Sequence, residues 1–329
     1  MTIILNHYFG QNVLEKLKDS QIDIEAKLFD VGTLGLDFLG ETRFYHKRRW
    51  NRRQKFLFSL KSIKYHDFME SIINEAKKNA LLKSYLYGLT ANYCLFSNLN
   101  PYLTYQRGVY LNKVSQNTDF KYLDIKLDRA IDSFLIKTYY NTDPNVLLFD
   151  SRIIKMDKFN KALKYSLDKS FISAYNYRPG YRMLNKAFIE LKENLLYLYD
   201  PKGKKTKFFS HFNKQANGTN LGVFTYYNKL LKNVDIFNER GQTWKHLLSQ
   251  NEYTYSFWEL FNASLEEAVK LIKELDSYLS GKTELDLEKI FNDHDFILAS
   301  ELASKTDITL HSIFNDPKWE KKNGNKKNS

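Results

Sequence analysis

Apolar residues recur at roughly helical spacing along nearly the whole chain, and the strict alternation of a half-buried strand is almost absent. The segment "NHYFGQNVLEKLKDS" puts Phe9, Val13 and Leu17 on one face, with Asn6 as the expected N-cap and His7 in the first turn. "DFMESIINEAKKNALLKSYLYGLTANYCLFSNL" continues the period through two helices. "FKYLDIKLDRAIDSFLIKTYY" lines up Leu123, Leu127, Ile131 and Leu135. "DKFNKALKYSLDKSFISAY" and "PGYRMLNKAFIELKENLLYLYD" form a pair split at Arg178-Pro179-Gly180. "SLEEAVKLIKELDSYLSG" is predicted to open on a capping box of Ser264 and Glu267 and to close near Gly281. "TELDLEKIFNDHDFILASELASK" reads as one more amphipathic helix. With only 5 prolines and 13 glycines, long elements are favoured over many turns. The expected fold is all-α, a bundle of long helices whose inward faces can carry a site.

The 329 residues suffice for one large or two modest domains. The reading divides them into a helical domain over 1–282, a helical extension over 283–315 and a basic tail over 316–329. The stretch "KGKKTKFFSHFNKQANGTN", 202–220, is the clearest loop. A single cysteine, Cys94, excludes an intrachain disulfide framework; inside an apolar helix it reads as a core thiol. The N-terminus lacks a basic leader followed by an apolar run, and no stretch approaches the ~20 apolar residues of a membrane span. The expectation is a cytoplasmic protein. A net charge of +12 favours anionic partners, although a base-composition bias toward lysine and asparagine produces the same total.

Polar residues that interrupt apolar helices are the informative ones. In "KSYLYGLTANYCLFSNLNPYL", 83–103, Asn92, Phe96 and Asn100 stand four residues apart on one face, and the helix is expected to stop at Asn100-Pro101. Asp37 follows "DVGTLGL", a glycine-spaced turn that brings backbone close to something. His7, Asp37 and His66 are ligand types that zinc prefers. Their local spacing does not show that they converge. The plainer alternative is a helix-capping His7, a turn-forming Asp37 and a solvated His66.

Five stretches occur in an order that resembles the zinc-dependent phospholipase C family, in its bacterial branch without a signal peptide. They are "HYFGQNVLEKL", "GTLGLDFL", "SYLYGLTANYCLFSNLNPYL", "LDRAIDSFLIKTYY" and "QTWKHLLSQNEYTYSFWELFNASLEEAVKLI". The resemblance implies the helical phospholipase C / P1 nuclease fold, with metal ions that polarise a phosphodiester and activate water. It also implies that the helix 83–103 once carried ligands. The family's His-x-x-x-Asp falls on Asn92 and Phe96, and its next histidine on Asn100. Asparagine is a poor zinc ligand and phenylalanine cannot bind a metal. On the next helix, Asp128 falls at the family's glutamate and Asp124 at its histidine; a register one turn earlier gives Asp124 and Phe120. Leu36 replaces the proline of the Gly-Pro-Asp turn.

What the resemblance leaves is His7, Asp37 and His66, which in the family do not all serve one metal, with Asp124 or Asp128 as further ligands. At most one zinc ion is implied, with Asp37 as a catalytic residue, and the reading favours none bound. The expected function is that of a pseudoenzyme binding a phosphorylated ligand, an anionic lipid surface or a protein partner. The alternatives are a residual mononuclear phosphodiester hydrolase and a nucleic-acid-binding protein. The densest charge run, "HKRRWNRRQK", 46–55, offers Arg48, Arg49, Arg52 and Arg53 to phosphate oxygens around Trp50, or else is a solvated basic loop. It matches no nucleic-acid motif. "GKKTK" at 203–207 lacks the first glycine of a phosphate loop. Tyr85, Tyr87, Tyr93, Tyr102, Tyr105 and Tyr110 make a tyrosine-rich zone, read as core and rim or as hydroxyls standing in for lost metals.

Overall fold

The computed structural model describes residues 3–40, 65–114, 123–144, 158–176, 180–198, 235–246 and 251–291, together with 200, 202–205, 207 and 208. Nine α-helices lie among them, an all-helical architecture as the helical period predicts, although Ala26–Thr33, half of which reads from the sequence as a glycine-spaced turn, is one of the nine. They are α1 (Ile3–Leu17), α2 (Ala26–Thr33), α3 (Tyr65–Ala76), α4 (Ala80–Val114), α5 (Leu123–Tyr139), α6 (Lys164–Tyr175), α7 (Gly180–Leu198), α8 (Phe257–Leu279) and α9 (Leu287–Ile290). A 3-10 turn, Asp37–Gly40, follows α2. Two short strands, β1 (Trp244–Lys245) and β2 (Glu252–Tyr253), pair antiparallel.

The bundle is organised around α4. Every residue from Ser84 to Leu95 is buried, so this stretch has no solvent face and needs cover on all sides. α2 and α8 supply most of it, and α1, α3 and α5 supply the rest. The α2–α4 contact is backbone on backbone. A Cβ at Gly88 would stand 2.2 Å from Phe29 O and 2.8 Å from Gly32 Cα, and one at Gly32 would stand 2.3 Å from Tyr85 O. No side chain fits, so the two glycines set how closely the helices cross. The glycine-spaced turn therefore does bring backbone close to something, namely α4.

Three boundaries differ from those expected of the sequence. Asn100-Pro101 does not end α4, which runs on through Pro101 to Val114. Proline removes the donor that Ser97 O would have received, and contacts beyond it hold the helix. Tyr102 donates its hydroxyl to Ile236 O, Gln106 Nε2 donates to Tyr102 Oη at 2.9 Å, and the Tyr102 ring meets Trp244 edge-on at 5.5 Å. Ser264 and Glu267 do not open a helix either. α8 begins at Phe257 with Ser256 as N-cap: Glu259 N donates to Ser256 Oγ at 3.2 Å, and Ser256 N donates to the Glu259 carboxylate at 2.7 Å. The S-x-x-E signature occurs twice, and the earlier copy wins. Ser264 lies buried inside the helix, donating to Leu260 O at 2.7 Å. Asn6 likewise lies inside α1 rather than capping it.

After α8 the chain returns to the bundle. Ile290 O accepts the Tyr93 hydroxyl at 2.8 Å, and Phe291 is buried with its ring 5.0 Å from that of Tyr93. Tyr93 in turn stacks on Tyr65, 5.9 Å away and 8° from parallel. Residues 292–329, with the basic tail and most of the predicted last helix, lie outside the described residues.

Candidate functional site

Asn92 sits one turn beyond Gly88 on α4, so the glycine crossing delivers it to the end of α2. Its Nδ2 donates to Thr33 O at 2.9 Å, a buried bond between the two helices. The carbonyl belongs to the last turn of α2, where helical donors run out. The next turn passes through Gly35 at φ +63°, and a Cβ there would lie 2.1 Å from Asn92 Oδ1. Thus the segments "GTLGLDFL" and "SYLYGLTANYCLF" are packed together. One turn on, Phe96 is half-buried against the core, and Asn100 is buried. Cys94 is fully buried, and desolvation pushes its thiol well above the usual range, as for an inert core thiol.

His7, on the α1 face toward α2, is buried. Its Nδ1 lies 4.0 Å from Asp30 Oδ1, too long for a hydrogen bond, and Gln11 Nε2 donates to that same oxygen at 2.8 Å. Asp37 opens the 3-10 turn, half-buried, beside a Phe38 ring that packs on Phe159 and Phe188. His66 is half-buried at the second position of α3, next to the buried Tyr65. Among the described residues no three His, Cys, Asp or Glu side chains are placed to hold a metal ion. His7, Asp37 and His66 are not brought together as a ligand set there. Asp124 lies in the first turn of α5, its side chain outside the described ones, and Asp128 is buried on that helix. Arg48, Arg49, Arg52 and Arg53 also lie outside the described residues.

The structure does assemble a polar seam that the sequence reading missed, centred on Asp132. Asp132 is fully buried on α5. One oxygen accepts Leu5 N at 3.3 Å; the other lies 3.8 Å from Arg129 Nη1 and has no hydrogen-bond partner among the described residues. Burial pushes its carboxyl up to about 7; Arg129 pulls it down and Asp128 pushes it further up. Tyr140 belongs to the same seam. Burial, then the Asp30 and Asp132 carboxylates, push its hydroxyl up to about 12. Above it, the Tyr8 and Tyr139 rings lie 4.1 Å apart. A signal was present: Asp124, Asp128 and Asp132 recur every fourth residue on α5, one position beyond the apolar stripe.

Chemically, burial favours the neutral, protonated form of the Asp132 carboxyl, whereas the Asn92 amide donates and accepts neutral hydrogen bonds. No helix among the described residues is long and apolar enough to cross a membrane. In comparison with known proteins the chain has no match among family models, curated proteins or solved structures.

Proposed function

We propose that this chain is a non-catalytic helical scaffold, phospholipase C-like in layout, that binds a phosphorylated ligand. The observation that carries the reading is Asn92. At the position where the resemblance implies a metal-binding imidazole, an amide ties α4 to the end of α2 through Thr33 O and fills the hollow beside Gly35. An amide used in this way is committed to structure. Phe96, one turn along the same face, adds apolar bulk where a bridging carboxylate is implied. The net charge of +12 supports an anionic partner.

The test is elemental analysis of protein purified without chelators, paired with hydrolysis of a phosphodiester in added zinc. Neither retained zinc nor zinc-dependent turnover is expected. Near-stoichiometric zinc that disappears in His66→Ala, together with turnover, would replace this reading with the residual mononuclear hydrolase. Salt-sensitive binding to duplex DNA in place of phosphorylated ligands would replace it with the nucleic-acid reading.

A further inference from the structure

We infer that the cleft between the start of α2 and the segment 158–161 is a binding site for a phosphate group, walled by Lys27, Lys158 and Lys161. The inference rests on the reading of the chain as a binder of phosphorylated ligands and gives that ligand a place. The cleft has a volume of about 660 Å³ and a floor formed by Leu28, Leu81 and Phe159. All three lysines are exposed, and none has an ion-pair partner among the described residues. Glu25 also lines the cleft; its carboxylate accepts Leu28 N at 2.7 Å as the N-cap of α2 and keeps its negative charge, so three lysines against one carboxylate leave the lining positive on balance. Three ammonium groups around one concavity repel one another, and a multiply charged anion offsets that repulsion.

Hydrogen bonds anchor both walls to neighbouring helices. Phe159 is tied on both sides: its N donates to Asn185 Oδ1 at 3.0 Å and its O accepts the Tyr181 hydroxyl at 2.8 Å, both from α7. Its ring is buried against Tyr85 and Phe188. Lys158 and Lys161 therefore project from an anchored segment. On the other wall, Glu25 N donates to Ser84 Oγ of α4 at 2.9 Å, which fixes the start of the helix that carries Lys27. Anchored backbones leave only the lysine side chains to order on binding, which limits the entropic cost. The apolar floor suits a phosphate ester with a non-polar portion better than the bare ion. A lipid headgroup and a free phosphate ester share this chemistry.

The experiment titrates the full chain with inorganic phosphate and glycerol phosphate by calorimetry, and with vesicles of phosphatidylcholine carrying phosphatidic acid by co-sedimentation. Binding that weakens with added salt is expected in at least one arm. A free ester gives saturation in solution; a headgroup gives binding to vesicles with little response to glycerol phosphate. In either case Lys158→Ala combined with Lys161→Ala is expected to lower affinity by about tenfold or more. Lys27→Ala, on a different element, is expected to lower it too. The lysines are exposed, so the far-ultraviolet circular dichroism of these variants should match that of the unaltered protein. No binding in any arm, or binding that survives in both the double variant and Lys27→Ala, overturns the assignment. Binding that survives but is abolished by Arg48→Ala with Arg52→Ala removes the cleft yet leaves the phosphate-binder reading standing.

Discussion

Replacing Asp132 by asparagine should make this protein more stable at pH 8 and leave it nearly unchanged at pH 4. Asp132 has no solvent exposure, and burial outweighs the Arg129 charge 3.8 Å away. Its carboxyl rises from the ordinary 3.8 to about 7. That displacement corresponds to roughly 4 kcal/mol of added cost for the ionised form in the fold. The sign follows from proton counting. Between about pH 4 and pH 7 the folded state keeps a proton that the unfolded state has released. The contribution is therefore fully present below the unfolded value, falls as pH rises through that window, and levels off above about 7. The amide of the Asp132→Asn variant would keep an oxygen for Leu5 N and would not titrate. Its gain at pH 8 is expected to be on the order of 2–4 kcal/mol, the Arg129 attraction being already contained in the value of about 7. Urea unfolding at pH 4, 6 and 8 measures this, and the difference between the two proteins cancels every other titrating group. A loss of stability at pH 8, or a difference that does not grow with pH, would refute the account. The ionised carboxylate would then be a favourable partner of Arg129.

Two further substitutions test the helical frame. Gly88→Ala should cost about 3 kcal/mol or more, because the new methyl group meets the backbone of α2 with no flexible side chain to give way; an unchanged thermal melting curve would mean that α2 and α4 do not cross there. Ser256→Ala should cost about 1 kcal/mol as a lost N-cap, whereas Ser264→Ala should stay within about 0.5 kcal/mol because its hydroxyl only back-bonds inside the helix. The reverse order would move the start of α8 to the second signature.

Much of this architecture is legible in the chain because helices announce themselves by period. α1 and α5 to α8 follow from the spacing of Phe9, Val13 and Leu17, of Leu127, Ile131 and Leu135, and their like. Position along a helix is harder to read. Pro101 normally argues for an ending, and only the distant Ile236 carbonyl and Trp244 ring explain why α4 continues. Ser256 and Ser264 carry the same local signature, and burial of Ser264 decides between them. Within the candidate site, the spacing of Asn92 and Phe96 puts them on one helix face, but the partner of Asn92 is a carbonyl far away in sequence. Asp30 and Asp132 escape notice for a similar reason. A buried acid inside an apolar run looks like a surface residue until helices from three parts of the chain close over it. Lys27 lines one cleft with Lys158 and Lys161 from a distant segment, a convergence that no local pattern encodes.

The amide tie at Asn92 also restricts what can replace it. A histidine placed there would replace the amide that donates to Thr33 O and push a larger ring toward Gly35, whose neighbourhood the smaller amide already fills. The turn after α2 would have to be rebuilt in the same step. Anyone engineering a metal centre into this bundle should begin with that turn and choose ligands afterwards, since swapping donors one at a time must first pass through a loosened protein.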